Sequence, residues 1–146
     1  MKLSDKGAEL ITSFEGLRLH AYRDTGGVLT IGYGHTGPDV RPDTVWTKEQ
    51  AIQTFKKDAE EREKQLTRML NGYPTTQNQF DALLSLGYNI GMYALEHKST
   101  TFKEHKAGNY ARAAAAFMNW VKDNGKIIGG LIRRRQAERK LYLGEV

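Results

Sequence analysis

The stretch Phe14–Gly37, FEGLRLHAYRDTGGVLTIGYGHTG, decides how this chain folds. Leu10, Ile11 and Phe14 recur at helical spacing and predict a short amphipathic helix over about residues 5–15. Ser4 stands at its N-cap and Gly16 just past its end. Glu15 therefore falls in the last turn. From Leu17 the period drops to two: Leu17, Leu19 and Ala21 alternate with Arg18, His20 and Tyr22, as in a half-buried strand over 17–23. Asp24-Thr25-Gly26-Gly27 supplies a tight turn, and Val28–Tyr33 returns as a second strand. Alternation puts Thr30 and Gly32 on one of its faces and Leu29, Ile31 and Tyr33 on the other.

Such a hairpin presents Glu15, Asp24 and Thr30 towards a common space. Two carboxylates held apart by a tight β-element suit acid/base hydrolysis of a glycosidic bond. Each residue taken alone has a plainer reading. A helix-end Glu is usually solvated, and a strand Thr is simply a good β-former.

Thr36–Trp46 is a loop rich in Pro, Gly and Asp, with no role assigned. Thr47-Lys48-Glu49-Gln50 is a capping box opening a long helix that ends near Leu70, where Gly72 and Pro74 stop it. Ala51, Ile52, Phe55, Ala59, Leu66 and Leu70 form its apolar stripe; Lys56, Lys57 and Glu60–Lys64 read as its solvated face. A second capping box, Thr76–Gln79, opens a helix that is apolar nearly all round and ends at Gly91, which makes it the core of the larger lobe. Ser99 and Asn109 are N-caps for two short helices, about 100–107 and 110–121, and Lys122–Lys126 reads as a loop. On the final helix Leu131, Arg134, Ala137 or Glu138, and Leu141 share a stripe, so Arg134 is the arginine expected to point inward.

With 146 residues the chain holds one domain's worth of sequence. Its apolar runs are too short to span a bilayer, the N-terminus shows no signal-peptide pattern, and no stable membrane insertion is expected. There is no cysteine, so the fold needs no oxidant. No second histidine stands at metal-ligand spacing from His35; no metal or other cofactor is expected. A net charge of +5 suits an anionic partner or plain solubility. Arg133-Arg134-Arg135 on a helix would suit nucleic acid, but no helix-turn-helix or zinc pattern accompanies it, and that reading leaves the hairpin unexplained.

Glu15, Asp24 and Thr30, set in Gly-Leu-Arg-Leu, Tyr-Arg-Asp and Thr-Ile-Gly-Tyr-Gly-His, resemble the phage-type lysozymes, the endolysin muramidases of glycoside hydrolase family 24. The resemblance extends to Gln79–Leu83 with Tyr88-Asn89-Ile90-Gly91, and to the C-terminal Gly-Leu, paired Arg and Ala-Glu around residues 130–138. It implies an α+β, mainly α fold of two lobes. A small N-terminal β-hairpin lobe (about 14–47) is joined by a long helix (about 48–70) to a helical lobe (about 75–146 with 1–13), all one catalytic domain.

The resemblance further implies that Glu15, Asp24 and Thr30 are the catalytic set. It makes His35 a structural residue ion-paired to a carboxylate. Asn89 then binds a sugar amide or merely caps its helix; Arg134 pairs with Glu15 or substrate, or with Glu138 one turn away. The implied substrate is the glycan strand of peptidoglycan. Expected too are a monomer and no nucleic-acid partner, with residence in the host cytoplasm until a separate holin gives access to the wall. A lytic transglycosylase, which leaves an anhydro product, and an inactive wall-binding homologue are the nearest alternatives.

Overall fold

The computed structural model describes all 146 residues. Helix α1 (Asp5–Glu15) leads into strand β1 (Arg18–Arg23), followed by β2 (Leu29–Gly32) and β3 (His35–Thr36). The long helix α2 (Lys48–Leu70) crosses to α3 (Gln77–Ile90), α4 (Met92–Lys98), α5 (Thr100–Lys106) and α6 (Tyr110–Ala116), which runs on into a 3-10 turn over Phe117–Asn119. A two-stranded ribbon, β4 (Lys122–Asp123) with β5 (Lys126–Ile127), precedes the last helix, α7 (Gly129–Tyr142). This is the expected α+β, mainly α architecture.

Local chemistry sets most of these boundaries. The Ser4 hydroxyl accepts the Gly7 N–H at the head of α1. Both capping boxes form, Thr47 with Gln50 and Thr76 with Gln79, each satisfying two otherwise orphaned donors. Helix α2 ends at Asn71, in the left-handed region at φ 48°, one residue before the glycine expected to stop it.

The sheet has three antiparallel strands in the order β1-β2-β3, so β2 is paired on both edges. The 36–46 loop adds to it. Trp46 N–H donates to Leu19 O and Ala21 N–H to Thr44 O, beside a single bridge between His20 and Val45. Val40 in this loop is buried, and the Trp46 ring packs on His35. The loop is therefore part of the β-lobe's structure.

Helix α3 is buried on every side from Phe80 to Tyr88, which makes it the axis of the helical lobe. Around it gather Leu66 and Leu70 of α2, Leu95, Phe102, Phe117, Leu141 and Tyr142. A smaller cluster of Ile11, Phe55, Ala59 and Tyr88 joins α1, α2 and α3 near the sheet. The head of α1 is tied to this lobe by Asp81, fully buried on α3, which accepts from the Ser4 N–H and hydroxyl and from Gln77. Truncating a core leucine such as Leu84 to alanine would cost about 2–5 kcal/mol.

Several expectations change. Residues 92–98 are helical, where none was expected, and the helix expected over 110–121 stops at Ala116. Asn109 makes no side-chain cap; its amide donates to Glu104 instead. Lys122–Lys126 is a hairpin and not a loop. Its Asn124-Gly125 turn, with φ of 51° and 77°, matches the type I′ geometry that Asn-Gly favours. Arg62 and Glu63 leave the solvated face of α2: Arg62 lies 4.6 Å over the Tyr88 ring, and Glu63 accepts the Leu3 N–H.

Candidate active site

Glu15 ends α1, where Gly16 breaks the helix and turns the chain into β1. Its carboxylate is mostly covered, with 16% of the side chain exposed. Oε2 accepts a hydrogen bond from Arg134 Nη1 at 2.6 Å. Oε1 points at the β2–β3 turn, where a Cβ on residue 34 would collide with it and would also meet the Tyr88 ring. Gly34 is doubly required, since its φ of +78° also disfavours any other residue. Tyr88 fixes this turn by donating its hydroxyl to Tyr33 O at 2.8 Å. Burial, then the nearby charges of Asp58 and Glu15, hold its phenol well above the usual range, so it stays a donor.

Arg134 reaches Glu15 from α7 and is itself 4% exposed. The sequence left it a choice between Glu15 and Glu138, and it takes both. Nε donates to Glu138 Oε2 at 3.2 Å, and Nη2 donates to the Ser85 carbonyl at 3.1 Å. The Phe14 ring lies 6.0 Å from its guanidinium carbon.

Behind it stands a second arginine that the stripe argument missed. Arg135 and Glu138 are both fully buried. Glu138 Oε2 accepts from Arg135 Nη2 at 3.1 Å and from the Ser85 hydroxyl at 2.5 Å. Arg135 Nε also lies 2.7 Å from Glu138 Oε1, but misaligned, so that contact is an ion pair without a hydrogen bond. Burial raises the Glu138 carboxyl overall, against the downward pull of Arg135, Arg134 and Ser85. Burial likewise lowers Arg135, against the pull of Glu138. The signal was present in the sequence as the 134/135/138 spacing, which on an exposed helix is an ordinary surface pair.

Asp24 sits at the hairpin turn, exposed to solvent. Its Oδ1 accepts the N–H groups of Gly26 and Val28, each at 2.9 Å, and its own N–H donates to Val28 O at 3.0 Å. The carboxylate thus builds the turn with one oxygen and leaves Oδ2 without a protein partner. Thr30 lies opposite Tyr22 in the sheet, and its hydroxyl donates to the same Val28 carbonyl at 2.9 Å. Asp24 and Thr30 share that anchor. The face bearing Thr30 and Gly32 is covered: Thr30 is 4% exposed, and the space beside Gly32 is filled by the Trp46 indole.

His35 has the predicted carboxylate partner and a second one. Nδ1 lies 2.7 Å from Asp58 on α2 and Nε2 3.0 Å from Asp39. Burial lowers its pKa, but hydrogen bonds and charge from Asp58 and Asp39 outweigh that and raise it overall. Asn89 is exposed near the end of α3, one helical turn beyond Ser85. It does not cap the helix; the Gly91 N–H closes that end on Gly87 O.

The phage lysozyme family model matches residues 12–138, which include every residue of this constellation. The endolysin of Bacillus phage B103 is 43% identical over 98% of this chain, and this chain spans only 54% of that protein's length. The endolysin of Acyrthosiphon pisum secondary endosymbiont phage 1 is 45% identical over 97% of this chain and 98% of its own. Among solved structures, the muramidase domain of SpmX from Asticaccaulis excentricus superposes with a TM-score of 0.87 at 38% identity, covering 97% of both chains. With a hairpin, an acid-bearing helix end and a C-terminal arginine matched as one continuous unit, the chain belongs to the phage lysozyme family.

Proposed function

We propose that this protein is a single-domain endolysin muramidase. It hydrolyses the β-1,4 bond between N-acetylmuramic acid and N-acetylglucosamine in bacterial peptidoglycan by an inverting general acid/base route. The observation that carries the reading is the contrast between two carboxylates. Glu15 is shielded and gripped by a buried arginine, whereas Asp24 is exposed with one oxygen free. Family membership supports a glycoside hydrolase acting on the bacterial wall.

In this mechanism Glu15 gives its proton to the glycosidic oxygen as the bond breaks. Arg134, already in contact, stabilises the carboxylate that forms. Asp24 Oδ2 takes a proton from a water that attacks the opposite face of the sugar, and Thr30 steadies the turn that aims Asp24. An inverting route needs the two carboxyl groups roughly 6.5–9.5 Å apart to leave room for that water. Asn89 supplies an amide for an N-acetyl group. The enzyme acts as a monomer, waits in the host cytoplasm, and reaches the wall when a holin opens the membrane; no helix here is long and apolar enough to cross a membrane.

Mass spectrometry of purified peptidoglycan after digestion tests the reading. Wild type should release products carrying an added water, and Glu15→Gln, folded as wild type, should release almost none. Anhydro products would assign a transglycosylase, and wild-type-like release by Glu15→Gln would overturn the acid assignment.

A further inference from the structure

The proposed acid Glu15 is the first of four charges linked pairwise, followed by Arg134, Glu138 and Arg135. Two guanidiniums remain protonated at any pH the fold tolerates, so two carboxylates are needed to balance them. Glu138 is the standing balance: Ser85, Arg134 and Arg135 all donate to one of its oxygens and oppose the cost of its full burial. Glu15 cannot do so, because a general acid passes through its neutral form in every turnover. When Glu15 carries its proton, Arg134 would be a buried cation without a partner if Glu138 were absent, a costly state that would favour its withdrawal.

We propose that Glu138 is a positioning residue, the standing counter-ion that keeps Arg134 in place under Glu15 through both protonation states, with Arg135 setting the net charge that Glu15 meets. The inference rests on the general-acid reading of Glu15. Arg134, Arg135 and Glu138 together present one net positive charge. Removing Glu138 makes it two and favours ionised Glu15; removing Arg135 makes it zero and favours neutral Glu15. The other groups facing Glu15 are Tyr88 from α3, with Arg62 and Asp58 of α2 behind its ring, and the uncharged Gly34 turn. None of them changes in these variants.

Two readouts test this on the full chain. One is the NMR titration of the Glu15 side-chain carboxyl, assigned by its loss in Glu15→Gln. The other is the alkaline limb of the kcat/KM profile on peptidoglycan. Glu138→Gln should move both to lower pH, and Arg135→Met should move both to higher pH, each by about one pH unit. The Glu138→Gln/Arg135→Met double variant should return near wild type. A structural role alone would not give displacements of opposite sign that cancel. If Glu138→Gln fails to fold, the displaced Arg135→Met and the restored double variant still support the proposal. Coincident titrations in every folded variant overturn it. Displaced Glu15 titrations in a protein that cleaves no glycan would instead overturn the muramidase reading and leave the counter-ion role standing.

Discussion

The two walls of the proposed site hold their carboxylates by opposite means. On the helical side Glu15 is fixed by a side chain 119 residues away, which is fixed in turn by Ser85 and Glu138. On the β-side Asp24 is fixed by backbone N–H groups two and four residues on. The first arrangement buries charge and depends on α1, α3 and α7 being docked. The second is local and exposed, and it survives as long as the turn does. Damage on the helical wall should therefore appear first as lost stability, and damage on the β-wall first as lost rate.

The hardest test of that contrast is Arg134→Met. It strands the fully buried Glu138 with one arginine and leaves Glu15 without a partner, so a loss of about 3–5 kcal/mol in urea unfolding is expected. Asp24→Asn is the counterpart. The amide oxygen can still accept from Gly26 and Val28, so stability should stay within about 1 kcal/mol while hydrolysis falls on the order of 100-fold or more. If Asp24→Asn unfolded the protein, or Arg134→Met left its stability intact, the division between the walls would fail.

The two lobes should also respond to pH with opposite sign, through one histidine each. His35 is raised above its ordinary 6.5 by Asp58 and Asp39. The stability it contributes is fully present below pH 6.5 and is lost as pH rises through its folded value. His105 is buried in the helical lobe, where Thr75 and Tyr142 engage its two ring nitrogens. The Thr75 hydroxyl already donates to Tyr73 O, so it accepts from Nε2–H, and Nδ1 accepts from Tyr142. That neutral ring has its pKa lowered by burial to about 4. Between pH 6.5 and about 4 the unfolded chain binds the extra proton, so His105 costs stability as pH falls through that window. Unfolding free energy against pH should flatten at the acid end in His105→Gln and at the alkaline end in His35→Asn.

The smallest effect concerns the one direct hydrogen bond between the Asp24 turn and the β4–β5 ribbon, from the Thr25 hydroxyl to Asp123 at 2.6 Å. Both residues are at the surface, so Asp123→Ala should lower stability by no more than about 1 kcal/mol.

Much of this was legible from residue order because it is local. Ser4, both capping boxes, the Asp24 turn and the alternation of β1 act over a few residues, and those short-range interactions survive whatever the rest of the chain does. The Asn124-Gly125 turn is equally local, but its strands of two residues each are too short to show an alternation. Strand alternation put Thr30 and Gly32 on one face but cannot show that Trp46 returns to cover it.

The sequence by itself determined where most of the helices begin, where the hairpin turns, and that Asp24 stands at that turn with Thr30 on its returning strand. Only the tertiary structure decided that Arg135 and Glu138 are buried and that Arg134 bridges two carboxylates at once. The physical reason lies in the spacing itself. Charges three and four apart on a helix look the same whether the face meets water or protein, and it is the docking of α7 against α3 that removes the water and turns a surface pair into the support of the site.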